Sequence, residues 1–385
     1  MGPLHGLRII ELAGIGPGPM AAMLLADMGA TVLRVERPTP SGLGLKRPTR
    51  LNFLNRGRRS VLVDLKRPEG IALALSLVEK SDALIEGFRP GTMERLGLGP
   101  DACLARNPRL VYGRVTGWGQ EGPLAQAAGH DLNYIALSGA LDAIGRRGEA
   151  PTPPLNLIGD YGGAAYLCMG MLAAMIEAQR SGLGQVVDAA MVDAATSLMT
   201  STYGLKAAGM HDGPRGTNIL DSGAPYYEVY ACADGKYVSI APIEAKFREQ
   251  LFRLIGLPEA LLAEATDSDN WPALRAQIAA RFKSETRAHW CRVLEGSDAC
   301  FAPVLSMAEA PEHPHQQARK GFIEIDGVVQ PAPAPRFGRS VGAPPTAPEA
   351  PGENADAAMR EWGYSDDEIG SWKRQGALLA RGGNP

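Results

Sequence analysis

The chain has 385 residues, of which 45% are hydrophobic and 21% are charged, and its formal net charge is −3. This length exceeds what one compact core usually holds, so two domains are expected, and the near-neutral charge argues against a nucleic-acid partner. Five cysteines without a C-x-x-C pair, and an N-terminus without the character of a signal peptide, favour a cytoplasmic protein that has neither disulfides nor a metal site.

The first half of the chain alternates strand and helix patterns. Apolar runs at residues 7–12 and 31–36 flank a helical pattern at 20–28, which makes a β-α-β opening. Because parallel strands need a crossover helix, this opening predicts a doubly wound α/β domain. Further strands are predicted at 60–65, 83–86 and 110–116, and further helices at 70–80, 131–141 and 160–180. The last helix contains an apolar stretch that glycines interrupt and that is too short to span a bilayer, so no membrane partner is expected.

The composition changes near residue 213, where a second and smaller domain is expected to begin. Short strands are predicted at 226–230 and 237–240, followed by amphipathic helices at 246–255, 271–282 and 287–295. Residues 331–354 are rich in proline and alanine, so they are expected to form an extended linker on the surface. A final pair of helices is predicted at 355–363 and 366–376.

A glycine-rich loop, residues 14–19, follows the first strand, at the place of a dinucleotide-binding loop. Two of its residues are prolines, which lack the backbone donors that would hold a pyrophosphate, and the G-x-G-x-x-G spacing is not met. A tight turn is therefore the better interpretation, and NAD is not predicted.

Basic residues gather near the ends of the predicted strands. They are Lys46, Arg47, Arg50, Arg56, Arg58 and Arg59, with Arg37, Arg89 and Arg95 nearby. Most such clusters are solvated surface. Guanidinium groups at strand ends also suit phosphates, so a polyphosphate ligand stays open at this point.

Three acid-base residues stand at the boundaries of predicted helices and strands. His130 and Asp160 precede or begin two consecutive helices, and Glu244 follows the strand at 237–240. Capping and surface exposure explain such positions without any catalytic role. The alternative is a pair of bases, because the dipole at a helix start keeps a neutral imidazole available. Glu244 would then orient the imidazole.

Motifs spread over nearly the whole chain carry a family resemblance. They are GLRIIELAGIGPGP, GATVLRVERP, NRGRRSVLVDLK, ALIEGFRPGTMERLGLG, AGHDLNYIALSG, NLIGDYGG and EWGYSDDEIGSWKRQGAL. In this order they resemble the class III CoA-transferase family, and specifically its α-methylacyl-CoA racemase branch. The resemblance implies a Rossmann-like large domain built from residues 1–210 and 330–385, a smaller α+β domain over 220–328, and an interlocked homodimer.

The same resemblance implies the site residues. His130, Asp160 and Glu244 match the catalytic positions of the racemase branch. The positions that hold CoA are matched by Arg37, Val63, Asp64, Leu65, Lys66, Gly87, Phe88, Arg89, Arg95, Gly129, Asp131, Leu132, Asn133 and Tyr134.

The implied activity is the interconversion of (R)- and (S)-2-methylacyl-CoA by two bases through an enolate, which backbone amides at the start of the 131–141 helix would stabilise. The acyl-CoA is the substrate, and no metal or redox cofactor is expected. Two alternatives stay open: a CoA-transferase with Asp160 as nucleophile, and a non-catalytic nucleotide-binding protein. The transferase branch lacks the histidine and has a glycine-rich loop near the glutamate, which this sequence does not have.

Overall fold

Residues 1–381 are described by the computed structural model, and the last four residues assigned by sequence to the large domain, 382–385, lie outside the described residues. Two units divide the chain. The first contains Met1–Ser138, Leu155–Leu198 and the chain from Phe322 onwards, and the second contains Gly139–Pro154 and Met199–Gly321.

Twelve strands occur in the described residues: β1 (Arg8–Leu12), β2 (Thr31–Glu36), β3 (Arg59–Val63), β4 (Ala83–Glu86), β5 (Val111–Thr116), β6 (Val186–Ala190), β7 (Glu228–Ala231), β8 (Tyr237–Ile240), β9 (Phe301–Val304), β10 (Phe322–Ile325), β11 (Val328–Pro331) and β12 (Leu378–Leu379).

Over the same residues the α-helices are α1 (Pro17–Asp27), α2 (Pro68–Glu79), α3 (Thr92–Arg95), α4 (Pro100–Arg106), α5 (Asp131–Leu137), α6 (Ala140–Ala143), α7 (Asp160–Ser181), α8 (Met191–Leu198), α9 (Thr200–Ala207), α10 (Ala245–Ile255), α11 (Leu261–Glu264), α12 (Trp271–Lys283), α13 (Arg287–Leu294), α14 (Pro314–Arg319), α15 (Ala355–Glu361) and α16 (Asp366–Arg374).

The first unit is a mixed α/β structure around a seven-stranded sheet, in the order β12-β3-β2-β1-β4-β5-β6. All neighbours pair in parallel except β12, which is antiparallel to β3. Successive strand residues point to opposite faces of a sheet, and here both faces are covered. Ile10 packs on the face that carries α2 and α15, whereas Ile9 packs on the face that carries α1 and α7. This explains why the strands show continuous apolar runs rather than alternation.

Helix α7 is the one helix of residues 1–381 that is long and apolar enough to cross a membrane by length and composition alone. A core helix of a soluble protein meets the same criterion, so this is weak evidence for a span. Leu167, Met171 and Met175 of α7 are buried in the core of the first unit.

The predicted linker is irregular and is bonded to the connection before β3 and to β3 itself. Gly57 N–H donates to Thr346 O, and Gly352 N–H donates to Ser60 Oγ, each at 2.9 Å. After this segment α15 packs beside β3, and Trp362 is 1% exposed within the core. The C-terminal segment is therefore an integral part of the first unit.

Several boundaries differ from the sequence-based predictions. The predicted helix 131–141 ends at Leu137, because Gly139 adopts φ +82°, a conformation that favours glycine, before α6 begins. Strands β6, β9 and β12 and the β10–β11 hairpin were not predicted. They are two to five residues long, and β6 and β12 are edge strands that bury few residues on both faces.

The division between the units also differs. Residues 139–154 and 199–210, assigned by sequence to the large domain, belong to the second unit, whereas 322–328 belong to the first. For residues 139–154 the physical reason is a set of polar contacts with residues 215 and 228 that no local pattern shows. Arg146 pairs with Glu228 at 2.5 Å, and Arg215 donates to both Asp142 Oδ1 at 2.9 Å and Glu149 O at 2.7 Å.

The second unit has a three-stranded antiparallel sheet in the order β7-β8-β9. Helices α10, α12 and α13 pack on it, and their apolar residues form a separate core that contains Phe252, Phe282 and Trp290. This unit is thus an α+β structure.

Candidate active site

The positions predicted to hold CoA come together at one edge of the large sheet. Arg37 follows β2, residues 63–66 end β3 and enter the next connection, and residues 87–89 follow β4. Strands β3, β2, β1 and β4 are parallel neighbours, so their carboxyl ends share one edge. Open α/β sheets bind ligands at this edge, at the point where the strand order changes direction. Here that point lies between β1 and β4, because β2 and β3 lie on one side of β1 and β4 and β5 on the other.

Only some of these side chains are free to meet a ligand. Val63 is fully buried, and Leu65 and Phe88 pack against the core; their place in the CoA site stays a prediction. Burial of an apolar side chain in the core is favourable and leaves only the backbone at these positions for a ligand. Lys66 and Asp64 form a turn in which Asp64 Oδ1 accepts the Lys66 N–H at 3.0 Å. The exposed basic residues of the set are Arg37, Lys66, Arg89 and Arg95.

The wider basic cluster separates into buried and exposed members. Arg56 is 3% exposed, pairs with Asp27 at 2.6 Å and donates to Pro331 O at 2.6 Å. Arg58 is 4% exposed and pairs with the fully buried Glu11. Burial lowers the pKa of Arg58 to about 10. These two arginines hold the fold together and are not available to phosphates.

His130 is the residue from which α5 begins. Its backbone N–H donates to Asn133 Oδ1 at 3.0 Å, and its carbonyl accepts the Asn133 N–H at 2.8 Å. The side chain is exposed. The next two backbone amides, those of Asp131 and Leu132, have no acceptor within the described residues, as is usual at a helix start. The imidazole therefore stands beside two free N–H donors.

Asp131 joins the starts of two helices. Its Oδ1 accepts the N–H of Gly159 at 2.7 Å and the N–H of Asp160 at 2.8 Å, so it caps α7 from the first residue of α5. The side chain is 4% exposed. One carboxylate thus fixes the backbone that carries His130 relative to the backbone that carries Asp160.

Asp131 and Tyr134, both predicted to hold CoA, use their side chains in contacts within the protein. Tyr134 is 5% exposed, donates its hydroxyl to Gly129 O and packs edge-on against Trp118. Burial raises the pKa of Tyr134 to about 12. Gly129 must lack a side chain, because a Cβ there would lie 2.8 Å from the tyrosine ring. Leu132 and Asn133 remain exposed.

Asp160 begins α7 and lies against the loop that follows β1. A Cβ on Gly16 would be 3.2 Å from Asp160 Oδ2, and Gly16 adopts φ +68°, so this glycine leaves the carboxylate uncovered. Asn156 Nδ2 donates to the same oxygen at 3.2 Å. The sequence indicated a tight turn at the loop that contains Gly16 and did not single out Asn156, although both residues lie in the quoted motifs. The signal available was the position of Asn156 four residues before Asp160.

The carboxyl group of Asp160 has a raised pKa. Burial is the largest cause, the hydrogen bond from Asn156 opposes it, the charge of Asp131 adds to it, and a positive charge on His130 opposes it. The His130 and Asp160 side chains are thus near enough for the charge of one to influence the other. A raised pKa increases the protonated fraction, which can deliver a proton.

Asn156→Leu should raise the pKa of Asp160 further, because the substitution removes a hydrogen bond that favours the ionised form and leaves the burial in place. Titration of carboxyl-13C aspartate by NMR, with the Asp160→Asn spectrum to assign the signal, measures the shift. Asn107→Leu is the control, because the Asn107 amide donates to Val78 O and Ser81 O, away from Asp160. A titration midpoint that stays unchanged in Asn156→Leu would remove Asn156 from the site.

Glu244 lies in the second unit, in the residue that precedes α10. Its side chain is exposed, and its charge contributes to a raised pKa of Cys300, for which burial is the larger cause. Each unit therefore holds part of the predicted catalytic set: His130 and Asp160 the first, Glu244 the second.

Comparisons with known proteins identify the family of the chain. Residues 4–357 match the model of CoA-transferase family III. Two relatives named alpha-methylacyl-CoA racemase are similar over 95% of this chain and 95% of their own: the Mus musculus protein at 43% identity and the Homo sapiens protein at 41%. A solved structure of a CAIB/BAIF family protein from Brucella suis is similar with a TM-score of 0.79 at 26% identity, covering 94% of this chain and 99% of that chain.

The family model matches most of the chain, and the similarity to both relatives covers nearly the whole length of each protein. The resemblance inferred from the sequence motifs is thereby confirmed, and the chain belongs to CoA-transferase family III.

Proposed function

We propose that this protein is an isomerase that interconverts (R)- and (S)-2-methylacyl-CoA thioesters. The observation that carries the proposal is the pair of acid-base side chains, His130 and Asp160, at two helix starts that the Asp131 carboxylate joins. Racemisation needs one group to remove the α-proton and another to deliver a proton to the opposite face. Two relatives at 43% and 41% identity bear the name alpha-methylacyl-CoA racemase, which supports the same conclusion.

The proton transfers balance in either direction. Neutral His130 removes the α-proton of one enantiomer, and protonated Asp160 delivers its proton to the other face of the enolate. The product complex then holds an imidazolium and a carboxylate, and exchange with solvent restores the starting state. The raised pKa of Asp160 supports this role, because a proton donor must be protonated before it acts.

The enolate oxygen needs hydrogen-bond donors that are in place before the charge develops. The amides of Asp131 and Leu132 have no acceptor in the described residues and lie beside His130. They are positioned to donate to a thioester oxygen held at the start of α5. A thioester already acidifies its α-proton, so the proposal includes no resident metal or redox cofactor.

CoA is proposed to bind across the carboxyl edge of a Rossmann-like sheet. Support comes from the order of the six parallel strands, β3-β2-β1-β4-β5-β6, which is the order of dinucleotide-binding folds. The exposed side chains Arg37, Lys66, Arg89 and Arg95 provide the positive charge for the phosphates and nucleotide.

An interlocked homodimer in the cytoplasm is part of the proposal. A second copy that covers the exposed apolar side chains on α5, α7 and α8 is the arrangement that we propose. These side chains are Leu137, Met169, Ile176 and Leu198, which are 51–62% exposed. The role of Glu244 in orienting an imidazole stays a prediction. Sedimentation of the purified protein measures its mass, and a monomer would exclude this arrangement.

The CoA-transferase alternative uses Asp160 as a nucleophile that forms an acyl anhydride. A histidine beside the carboxylate has no role in that chemistry, whereas racemisation requires a second base. The geometry therefore favours the isomerase.

The test is incubation of the protein with a panel of single-enantiomer 2-methylacyl-CoA esters in deuterated water. We expect deuterium at the α-carbon together with loss of optical purity, and no requirement for a second acid. A CoA-derived thioester or anhydride trapped on Asp160 during turnover, without α-exchange, would establish the transferase instead. The panel also identifies the acyl group that the protein prefers.

Arg89→Ala is expected to raise KM for acyl-CoA roughly tenfold while kcat changes little, because a phosphate contact is made equally in the ground and transition states. Arg89 is exposed in the turn after β4. A pantetheine thioester, which lacks the nucleotide, should show the same KM with either protein. An unchanged KM for acyl-CoA in the folded variant would exclude Arg89 from the CoA site.

A further inference from the structure

A buried arginine links the interior of the large sheet to helix α3. Arg114 of β5 is the register partner of Glu86 of β4, and its Nε donates to Glu86 Oε1 at 2.7 Å. Its Nη1 and Nη2 donate to the two carboxylate oxygens of Glu94 at 2.8 and 3.3 Å. Glu86 is fully buried, whereas the side chain of Glu94 is 44% exposed. The three side chains therefore form a continuous connection from the sheet to the surface.

The connection ends at two segments that carry exposed arginines. Glu86 Oε2 accepts the N–H of Phe88 at 2.7 Å, and Phe88 immediately precedes Arg89. At the other end Glu94 immediately precedes Arg95 in α3. One set of hydrogen bonds thus fixes the backbone beside both arginines.

We propose that Glu86, Arg114 and Glu94 form a positioning relay that holds Arg89 and Arg95 at the separation required by the phosphates of CoA. The inference rests on the proposed function, since it concerns the site for the CoA nucleotide. None of the three relay residues touches the reacting atoms. Their effect is to order two cationic side chains before the ligand arrives, which reduces the entropy lost on binding.

Stabilisation of the fold alone is a weaker explanation. Burial raises the pKa of Glu86, whereas the Phe88 amide and Arg114 lower it. These two partners therefore favour the negative charge of Glu86 in the interior. Buried ion pairs often add little net stability relative to apolar residues, so fixing a geometry is the better reason for one. Glu11, the other fully buried glutamate of this sheet, pairs with Arg34 and Arg58 and accepts no loop amide in the described residues.

The relay and simple electrostatics predict opposite results for the same substitution. Glu94→Gln removes a negative charge near the proposed phosphate site, and Coulomb's law alone predicts tighter binding of the anionic ligand. The relay predicts weaker binding, because the amide cannot hold both guanidinium nitrogens and α3 loses its fixed position.

The experiment measures calorimetric binding of CoA to the full-length protein and to three variants: Glu94→Gln, Arg114→Lys and the control Glu79→Gln. Glu79 is matched to Glu94: its side chain is also 44% exposed, and it pairs with Arg106 at 3.0 Å in the same unit. We expect the dissociation constant to rise roughly tenfold in Glu94→Gln and to stay unchanged in Glu79→Gln. Arg114→Lys keeps the charge but not the forked geometry, so it should also weaken binding.

Kinetics with two substrates separates positioning from general damage to the fold. In Glu94→Gln the KM for acyl-CoA should rise while kcat changes less than about twofold, and the KM for the pantetheine thioester should not move. Equal losses for both substrates, or CoA binding as tight as or tighter than in the native protein, would overturn the relay. A native protein that binds no CoA would instead overturn the proposed function.

Discussion

His130→Ala and Asp160→Asn are each expected to reduce racemisation of 2-methylacyl-CoA by about 10²–10⁴-fold, the contribution typical of a positioned acid or base. The reaction needs both groups in every turnover, because one removes the α-proton and the other supplies a proton to the opposite face. Chiral analysis of the thioester after incubation with either pure enantiomer measures the loss. His5→Ala is the control, since His5 is an exposed histidine of the same unit without a proposed role.

Deuterium uptake distinguishes the two faces. A variant with one remaining base can still remove a proton and return a deuteron on the same face, so slow exchange with retention is expected for one enantiomer. His130→Ala and Asp160→Asn should differ in which enantiomer exchanges. Racemisation near the native rate in folded His130→Ala would show that His130 only begins a helix and would refute the two-base mechanism.

Trp362→Ala is expected to lower the free energy of unfolding by about 3–5 kcal/mol, the cost of a large cavity in a packed core. The indole is 1% exposed, and its Nε1 donates to Leu77 O at 3.4 Å on the face of the sheet that carries α2. The substitution should therefore destabilise the first unit as a whole. Urea unfolding followed by circular dichroism measures the change.

Glu361→Ala is the neighbouring control for Trp362→Ala. Glu361 is half exposed and pairs with Arg59 at 3.6 Å, and exposed pairs of this kind contribute about 0–1 kcal/mol. A small change in Glu361→Ala together with a large one in Trp362→Ala is the expected pattern. Equal and small changes would mean that the C-terminal segment is not needed for the stability of the first unit.

The strands and helix starts that hold the site could be predicted because local chemistry determines them. The β-α-β opening shows apolar runs of strand length around a helical pattern, and Asp131 and Asp160 are residue types favoured at helix starts. The observed helices α5 and α7 begin at these two aspartates, as predicted. The ends of helices were harder to predict. Helix α5 ends before Gly139, whose left-handed conformation is visible only in the structure.

Long-range polar contacts could not be predicted from periodicity or spacing. Nothing local indicates that Asp131 caps a helix 28 residues further along the chain, or that Arg114 joins Glu86 to Glu94. The basic cluster is a second example. The structural roles of Arg56 and Arg58 depend on ion pairs with Asp27 and Glu11, which are distant in sequence. Sequence identified the residue types of the site, and the pairing between them required the fold.

The return of the chain to its first unit has a consequence for biosynthesis. Arg8 Nη2 donates to Glu361 O at 3.3 Å across a separation of 353 residues, and β12 pairs with β3. Translation is vectorial, so β3 has no β12 neighbour until almost the whole polypeptide has left the ribosome. Until then the unpaired edge of β3 and the apolar surface that Trp362 covers remain exposed. Exposed edges and apolar surfaces can associate with other chains, and chaperones recognise them. The second unit, whose last residue is Gly321, can fold before the C-terminal segment of the first unit has been synthesised.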